Sequence, residues 1–448
     1  MLGIPLILSF AVVFIVFSAG GDAVSNQQLG KIPVRQNQQP GGGLLDYYKA
    51  LHKYGIIENV PRPTLRSTSR SPKRRDERTA RRRRQSNDEV VANGTQGLGS
   101  SYCSPVTVGE GDSAQTFHIQ LDTGSGDFWV YSDLLLQDEP FTSNLSHTIY
   151  DPFNSTTAEP TGQFNFIQYG SGNMTGIVFS DTVTLGGIQA KKQPVEAALR
   201  TDISLAPANN PCDGIFGLYA LGNTTVQPGS SQMVLQDLFF GDGSPDQKVF
   251  TALLTRPTEQ NGFYTFGSID QDALQNQTIN YVELNLPSPE FPPFWNVSAP
   301  EFFVNGQSIS NAGGSAIIDT GTTLVLVDDN VLPAIYEPVG GFFDNNTGAW
   351  LFPANFSQSD LPVVTLPVGG YNVTLSAEDL VFDTVDIPGF VIGGVQGNGG
   401  LGGLVIFGDI WLKNVYAVFD LGTGDGKDFR FGFVPRAPNA VVGPAGGS

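Results

Sequence analysis

Two copies of the tripeptide Asp-Thr-Gly stand in similar surroundings in this chain. The copies begin at Asp122 and Asp319, and each follows a short apolar run and precedes small hydroxyl residues or glycine. One copy would indicate only a turn, but two in matching contexts indicate two similar halves that bring both carboxylates to one centre. Two carboxyl groups that lie next to each other share a single proton at acid pH, so the protonated group can donate a proton while the ionised group accepts one. This is the acid–base chemistry that activates water for peptide hydrolysis.

Strands must position these aspartates, and the sequence is typical of strands. Three stretches alternate apolar and polar side chains with the two-residue period of a half-buried strand, namely residues 116–121, 176–187 and 371–375. Helical patterns are few, and the better candidates are residues 231–239 and 328–339. A chain of 448 residues with 54 Gly is too long for one core and rich in turns. We therefore predict an all-β protein of two lobes, with the boundary in the proline-rich residues 287–293.

Five motifs in order along the chain resemble those of the pepsin-like aspartic proteases, particularly the secreted fungal enzymes. They are Asp-Thr-Gly-Ser-Gly-Asp-Phe-Trp-Val at 122–130, Tyr-Gly-Ser-Gly at 169–172, Asp-Gly-Ile-Phe-Gly-Leu at 213–218, Asp-Thr-Gly-Thr-Thr-Leu at 319–324 and Ile-Phe-Gly-Asp-Ile-Trp-Leu at 406–412. The resemblance covers roughly residues 102–435. It implies the bilobal all-β pepsin-like fold with a few short helices, and an aspartic endopeptidase that needs no cofactor or metal.

By this resemblance Asp122 and Asp319 are the catalytic pair. The residues that follow each aspartate are implied to support it, and they are Thr123, Gly124, Ser125, Thr320, Gly321 and Thr322. The threonines beside the aspartates are expected to cross-bond beneath the pair, and the glycines to bring backbone N–H groups to the carboxylates. The hydroxyls of Ser125 and Thr322 are expected to bond the outer carboxyl oxygens. Gly126 departs from the family, which often has Ser there.

The segment Tyr169-Gly170-Ser171-Gly172 lies between two strand-like runs and predicts a hairpin turn. The resemblance implies that this hairpin is the flap over bound peptide, with Tyr169 hydrogen-bonded to the ring nitrogen of Trp129. Ser171 and Gly172 would offer backbone groups to the substrate, in the manner of an added strand. A glycan on Asn173, which lies in a sequon on this hairpin, could restrict closure.

Two apolar segments that contain glycine, residues 213–217 and 405–409, are implied to cross beneath the Asp-Thr-Gly loops. Ile215 and Ile406 within them are expected to line substrate pockets. The three histidines, His52, His118 and His147, are scattered in the sequence, and the chain lacks a cysteine cluster. The sequence therefore predicts neither a metal site nor a Ser-His-Asp triad.

The N-terminal segment differs sharply in charge from the rest of the chain. Residues 1–84 hold 15 Lys and Arg against 5 Asp and Glu, which gives +10, and the remainder carries −29. A body this acidic argues against nucleic acid as a partner, because phosphate binding needs basic residues. It also favours an acidic working environment, since protonation relieves the repulsion among carboxylates.

The apolar residues 4–17 are typical of a secretory signal peptide and short for a bilayer span, which is the alternative. We expect a signal peptide at 1–20, a pro-segment at 21–84, lobes at 100–288 and 289–436, and a flexible tail at 437–448. Four arginines end the pro-segment, and cleavage is expected after Arg84; a targeting or nucleic-acid patch is the alternative. The resemblance implies that Lys53 and Tyr54 occupy the cleft, with Lys53 paired to both aspartates.

The chain has two cysteines, Cys103 and Cys212, which predict one disulfide in an oxidising compartment, with two buried thiols as the alternative. Ten sequons are typical of a glycoprotein, and they begin at Asn93, Asn144, Asn154, Asn173, Asn223, Asn276, Asn296, Asn345, Asn355 and Asn372. We expect a secreted, extracellular monomer, with the vacuole as the alternative location, that acts on peptides and proteins and does not bind membranes.

Two rival functions use the same observations. A binding protein on the same fold that has lost catalysis would usually lack an Asp, a Thr or the flap tyrosine, and this chain has all of them. A carbohydrate-binding β protein would explain the glycine and aromatic content but not the duplicated tripeptide. Proteolysis by a complete aspartate pair explains both the duplicated tripeptide and the presence of every residue that a degenerate copy would lack.

Overall fold

The computed structural model of the protein covers most of the region after residue 100 and two short stretches before it. The described residues are 31–37, 47, 101–135, 147–169, 172–202, 205, 210–220, 222, 224–229, 231–259, 262–285, 294–311, 313–399 and 404–436. They form a predominantly β structure with a few short helices, as the sequence predicted. Within these ranges, the helices are all too short or too polar to cross a membrane.

The first half of the chain builds one large sheet around the first Asp-Thr-Gly loop. The strands of this part of the chain are β1 (Ile32–Pro33), β2 (Arg35–Asn37), β3 (Ser101–Val108), β4 (Gln115–Asp122), β5 (Phe128–Tyr131), β6 (Glu159–Tyr169), β7 (Gly172–Leu185), β8 (Ile188–Thr201) and β9 (Gly214–Gly217). Strand β1 belongs to a different sheet. Strands β2 to β9 form eight neighbours in the order β2-β3-β4-β9-β5-β8-β7-β6. In β4, Phe117, Ile119 and Leu121 are buried and alternate with more exposed polar residues, so the two-residue period fixes which face meets the core.

The rest of the chain, after β9, contributes smaller sheets. Its strands are β10 (Val249–Leu253), β11 (Phe263–Phe266), β12 (Asn280–Glu283), β13 (Asn296–Ser298), β14 (Glu301–Val304), β15 (Gln307–Ser310), β16 (Ser315–Ile318), β17 (Val325–Val327), β18 (Phe342–Asp344), β19 (Ala349–Pro353), β20 (Val364–Thr365), β21 (Val381–Thr384), β22 (Phe390–Gly393), β23 (Val395–Gly397), β24 (Ile406–Phe407), β25 (Val415–Asp420) and β26 (Arg430–Pro435). The five-stranded sheet β13-β16-β24-β17-β23 carries the second Asp-Thr-Gly loop. Two further sheets, β15-β14-β20 and β18-β19-β22-β21, lie after the predicted boundary.

A six-stranded sheet, in the order β1-β11-β10-β25-β26-β12, takes strands from both sides of the boundary that we predicted at residues 287–293. Phe250 on β10 stacks on Phe419 of β25, with ring centroids 4.5 Å apart, and both rings meet Trp295 edge-on. This sheet therefore joins the two halves through a shared aromatic core. The boundary residues 287–293 lie outside the described residues.

The helices are short and lie between strands in the chain. Among the described residues they are the α-helices α1 (Val234–Phe240), α2 (Gln271–Leu274), α3 (Leu332–Tyr336) and α4 (Asp409–Leu412), and the 3₁₀ helices Gly111–Ser113, Glu337–Val339, Gln358–Asp360 and Ala377–Leu380. Helix α3 lies within the stretch predicted at 328–339, and α1 overlaps the stretch predicted at 231–239 and ends one residue beyond it. The helical segment that begins with α3 ends at Gly340, whose φ of 77° is readily adopted only by glycine.

The predicted disulfide is present. Cys103 on β3 and Cys212, just before β9, are bonded with their Cα atoms 5.6 Å apart. The bond closes a segment of 109 residues that contains the first Asp-Thr-Gly loop and the flap strands β6 and β7. The alternative of two buried thiols is therefore wrong.

Candidate active site

Both aspartates stand at the end of a strand in the same local architecture. Asp122 ends β4, Asp319 directly follows β16, and both residues are buried. Strand β9 runs parallel to β4 and antiparallel to β5, and β24 runs parallel to β16 and antiparallel to β17. Each Asp-Thr-Gly loop is thus crossed by one short strand from later in its own half. The resemblance had implied these crossings.

Glycine makes each crossing sterically feasible. A Cβ atom on Gly217, which pairs with Asp122 in the sheet, would lie 2.5 Å from the backbone carbon of Gly126. A Cβ atom on Gly408 would overlap the backbone oxygens of Thr322 and Leu324. A side chain at either position would push the crossing strand away from the loop that carries the aspartate.

The two threonines join the loops through a symmetric set of hydrogen bonds. The Thr123 N–H donates to Thr320 Oγ1 at 3.1 Å, and the Thr320 N–H donates to Thr123 Oγ1 at 2.9 Å. Each hydroxyl also donates across the interface, Thr123 to the Ile318 carbonyl at 2.9 Å and Thr320 to the Leu121 carbonyl at 2.7 Å. The cross-bonding implied by the resemblance is therefore present, and it fixes the two aspartates relative to each other.

Each carboxylate is also oriented from within its own loop. The Gly124 N–H donates to Asp122 Oδ1 at 2.9 Å, and Ser125 Oγ donates to Asp122 Oδ2 at 2.6 Å. In the second loop the Gly321 N–H donates to Asp319 Oδ1 at 2.8 Å, and Thr322 Oγ1 donates to Asp319 Oδ2. The two sides match donor for donor, which holds both carboxyl groups in one orientation.

The flap base has the contact that the resemblance implied. Trp129 Nε1 donates to Tyr169 Oη at 2.9 Å, and Tyr169 pairs with Gly172 where β6 turns into β7. Burial, and then the nearby carboxylates of Asp127 and Asp122, raise the pKa of the Tyr169 phenol, so it remains a neutral hydrogen-bonding group. Gly170 and Ser171 at the tip lie outside the described residues.

The two isoleucines of the crossing strands differ in placement. Ile215 packs in a small cluster with Trp129 and Tyr169, directly beside the flap. Ile406 is fully buried between β16 and β17, where it pairs with Ile317 and Leu326. Ile406 therefore supports the loop from within the sheet, and its predicted role in lining a pocket stays a prediction.

Sequence reasoning missed a pair of buried acids beneath the flap. Burial raises the pKa of both Glu196 on β8 and Asp127, and the neighbouring Asp127 carboxylate raises that of Glu196 further. Asp127 Oδ1 accepts bonds from the Thr225 N–H at 2.6 Å and the Thr225 hydroxyl at 3.0 Å, which favour its ionised form. Asn165 Nδ2 donates to Glu196 Oε2 at 2.6 Å, but within the described residues no donor reaches Glu196 Oε1. Glu196 therefore holds the proton of the pair.

A second omission is an aromatic contact beside the dyad. The rings of Tyr219 and Phe294 meet edge-on with centroids 5.1 Å apart. Tyr219 directly follows the Asp-Gly-Ile-Phe-Gly-Leu motif, so its position in the sequence was the available signal. Phe294 offered none, because it stands in a proline-rich stretch.

The histidines are less scattered than the sequence suggested. His147 Nδ1 lies 3.0 Å from Asp213 Oδ1, and the backbone N–H of His118 donates to Asp213 Oδ2 at 2.8 Å. Among the described residues, these groups do not combine with other acids or cysteines into a set that could hold a metal ion. Asp213 instead anchors the start of the crossing segment.

Several predicted residues lie outside the described residues. They are Lys53, Tyr54 and Arg84 of the pro-segment, and the sequon residues Asn93, Asn144 and Asn223. Of the remaining sequon residues, the exposed ones are Asn154, Asn276, Asn345 and Asn355. Those of intermediate exposure are Asn173, Asn296 and Asn372. Because their side chains are accessible to solvent, the exposed asparagines are the better candidates to carry a glycan.

Comparison with known proteins agrees with this geometry. Residues 101–425 match the sequence model described as eukaryotic aspartyl protease. The chain is 34% identical to penicillopepsin-1 of Penicillium janthinellum over 78% of this chain and 99% of that protein. It is 34% identical to aspergillopepsin-1 of Aspergillus fumigatus over 75% of this chain and 79% of that protein. It is 31% identical to the aspartic protease pepA of Arthroderma gypseum over 92% of this chain and 93% of that protein. Since the matched region contains both Asp-Thr-Gly loops, the crossing strands and the flap, the chain belongs to the eukaryotic aspartyl protease family and is an aspartic-type endopeptidase.

Proposed function

We propose that the protein is a secreted endopeptidase, made as a zymogen, that hydrolyses peptide bonds at acid pH through Asp122 and Asp319. The observation that supports this most strongly is the matched environment of the two aspartates. Each accepts one backbone N–H and one hydroxyl bond from its own loop, and Thr123 and Thr320 lock the loops together. A pair of buried carboxyl groups held so symmetrically suits a shared proton rather than two separate negative charges.

In the proposed mechanism, a water molecule lies between the two carboxyl groups. The ionised carboxylate accepts a proton from this water as its oxygen attacks the scissile carbonyl carbon, and the protonated carboxyl donates to the carbonyl oxygen. The product is a tetrahedral diol. The proton taken from water then passes to the leaving nitrogen, one diol hydroxyl returns a proton to the carboxylate that had donated one, and the C–N bond breaks to give a carboxylic acid and an amine without a covalent intermediate. The flap, held by the Trp129–Tyr169 bond, would cover the peptide and keep bulk water out.

The N-terminal segment is the proposed inhibitor. Its charge of +10 faces a body of −29, and Lys53 and Tyr54 would occupy the cleft until cleavage after Arg84. Strand β1 extends the six-stranded sheet by pairing with β11, and β2 pairs with β3, so the segment docks on both the six-stranded and the eight-stranded sheet. The buried Tyr47 also donates a bond to the Gly397 carbonyl at 3.1 Å. The match to pepA covers 92% of the chain and so extends beyond residues 101–425, which supports a precursor of the same kind.

Export, glycosylation and an extracellular, monomeric product complete the proposal. The disulfide between Cys103 and Cys212 and the four exposed sequon residues suit an oxidising, secretory route. Peptides, proteins and the protein's own pro-segment are the proposed partners. Neither nucleic acid nor a membrane is proposed as a partner, because the body is strongly acidic.

The test is single replacement of each aspartate. Asp122→Asn and Asp319→Asn should each reduce peptide hydrolysis at acid pH by at least about a hundredfold while the circular dichroism spectrum stays unchanged. Asp112→Asn, at an exposed carboxylate, is the matched control and should keep wild-type activity. Activity of either dyad variant above about one hundredth of wild type would contradict the assignment.

A further inference from the structure

We propose that an N-glycan on Asn345 packs its first sugar, N-acetylglucosamine, on the exposed ring of Phe343 at the tip of the hairpin β18–β19. This inference rests on the proposed secretory route. It goes beyond that route because it selects one of the ten sequons and names the surface that its sugar covers.

The turn of this hairpin presents the sequon Asn345-Asn346-Thr347 in an ordered conformation. The Gly348 N–H donates to the Asp344 carbonyl at 2.7 Å, and Gly348 has a φ of 61°, which glycine adopts readily. The Asp344 carboxylate accepts bonds from the N–H and the hydroxyl of Thr347, each at 2.8 Å. Asn345 is exposed between these anchored residues, so the attachment point of a glycan is both fixed and accessible.

Phe343 stands two residues before Asn345 and offers an aromatic surface to solvent. Across the hairpin it pairs with Trp350, and the two ring centroids are 6.2 Å apart. Trp350 in turn stacks on the buried ring of Tyr336, with centroids 5.8 Å apart. Phe343 is nevertheless 45% exposed, on a strand at the edge of its four-stranded sheet. The inner rings therefore hold Phe343 in position while nearly half of its surface remains in contact with water.

A sugar attached to Asn345 is within reach of this ring. Two residues of chain span at most about 7 Å, a distance that the asparagine side chain and the attached sugar together cover. N-acetylglucosamine presents C–H groups on the faces of its ring, and the face of an aromatic ring is negatively polarised, so the two surfaces attract each other and exclude water. The contact would tie the turn to β18 and remove an exposed aromatic surface that otherwise favours aggregation.

The same combination occurs a second time in the chain. Phe153 is 77% exposed and directly precedes Asn154, which begins another sequon and is exposed as well. An aspartate again anchors the turn, because the Asp151 carboxylate accepts bonds from the N–H groups of Phe153 at 2.9 Å and Asn154 at 3.2 Å. The ring of Phe179 supports that of Phe153 edge-on, with centroids 6.1 Å apart. Two exposed phenylalanines thus stand beside accessible sequons, and we extend the inference to this second pair.

The test uses the full chain with Asp319→Asn, which prevents self-digestion, secreted from a eukaryotic host that adds high-mannose glycans. An endoglycosidase then trims each glycan to a single N-acetylglucosamine, and mass spectrometry of the peptides should find this sugar on Asn345. Asn345→Gln should lower the thermal unfolding midpoint by about 2–4 °C in this parent, but by less than about 1 °C in the Phe343→Ala background. Phe343→Tyr retains an aromatic face and should retain the full effect of the sugar.

Asn355→Gln is the matched control. This exposed sequon residue follows Pro353 and Ala354, so no aromatic ring stands in the two positions before it. Its replacement should leave the midpoint unchanged whether or not Phe343 is present. Asn154→Gln, with and without Phe153→Ala, should repeat the pattern of the first pair.

An unmodified Asn345 in protein that carries sugar on other sequons would overturn the inference. An equal loss of the midpoint from Asn345→Gln with and without the ring would also overturn it, because the sugar would then act independently of Phe343. If Phe343→Ala fails to fold, Phe343→Val keeps a residue that favours strands, removes the ring, and should abolish the effect of the sugar in the same way. A secreted chain without sugar on any sequon would instead contradict the proposed glycosylation as a whole, so the two failures are distinguishable.

Discussion

Replacement of Glu196 by Gln is expected to make the protein more stable than wild type as the pH rises. The reason is that native wild-type protein must keep a proton on Glu196, whereas a glutamine does not titrate. Glu196 is completely buried and shares its site with the Asp127 carboxylate. Its pKa is raised in the folded protein, so between the ordinary value of about 4.3 and the raised value the native state binds more protons than the unfolded state. Stability from this group is therefore complete below about pH 4.3 and decreases with rising pH until the raised pKa is passed.

The size of the effect follows from this linkage. Within the window, one extra bound proton makes the free energy of unfolding fall by about 1.4 kcal/mol for each pH unit. In Glu196→Gln the side chain no longer titrates. Its amide Nε2–H can donate to Asp127, as the protonated carboxyl of Glu196 does. The variant should match wild type within about 1 kcal/mol at pH 4 and should exceed it progressively above pH 5.

The assay is urea unfolding followed by circular dichroism between pH 4 and 7. All proteins would carry Asp319→Asn to prevent self-digestion, so that only the Glu196 site differs. Glu159→Gln removes an exposed carboxylate from the flap strand β6 and is the matched control. A difference between Glu196→Gln and its parent that stays flat across this pH range, as the control's should, would refute the buried proton.

Two further predictions concern the frame around the dyad. Joint replacement of Cys103 and Cys212 by Ala should lower the free energy of unfolding by on the order of 4 kcal/mol, and an unchanged urea midpoint would contradict a stabilising bond. Thr123→Ala should lower both stability and kcat, because it leaves the buried Thr320 N–H and Ile318 carbonyl without partners, at about 1–3 kcal/mol each. Thr123→Ser keeps the hydroxyl and should restore most of both; if Ser behaves like Ala, the cross-bonds are not the cause.

The parts of the site that the sequence predicted are those in which neighbours in the chain are also neighbours in space. Gly124 and Ser125 bond the carboxylate of Asp122 from two and three residues away, so the tripeptide context is enough to place them. The flap bond between Trp129 and Tyr169 spans 40 residues and was accessible only through family resemblance.

The parts that were missed depend on the register of distant strands. Glu196 meets Asp127 because β8 runs parallel to β5 with Trp129 opposite Glu196, and nothing in the local pattern of β8 shows that register. Tyr219 and Phe294 meet only after the two halves have packed together. The six-stranded sheet was similarly difficult to predict, since it combines strands from both sides of residues 287–293 and the sequence pattern of each strand is ordinary.

The internal symmetry of the molecule explains why this position holds a titratable side chain in the first half and none in the second. Trp129 lies seven residues after Asp122 and pairs in parallel with Glu196, and Leu326 lies seven residues after Asp319 and pairs in parallel with Gln396. Gln396 is also completely buried, but its amide bonds the Trp350 backbone at 2.8 and 3.0 Å and the Gly393 carbonyl at 3.0 Å, so every polar atom is paired without a titratable group. The second half thus accommodates at this position the side chain that Glu196→Gln would introduce in the first.

A rise in pH should therefore loosen the first half, which carries the flap, before the second, and hydrogen exchange in β6 to β8 should increase before exchange in β16, β17 and β23. Equal acceleration in both sets of strands, or earlier exchange in the second, would show that another group controls the loss of structure.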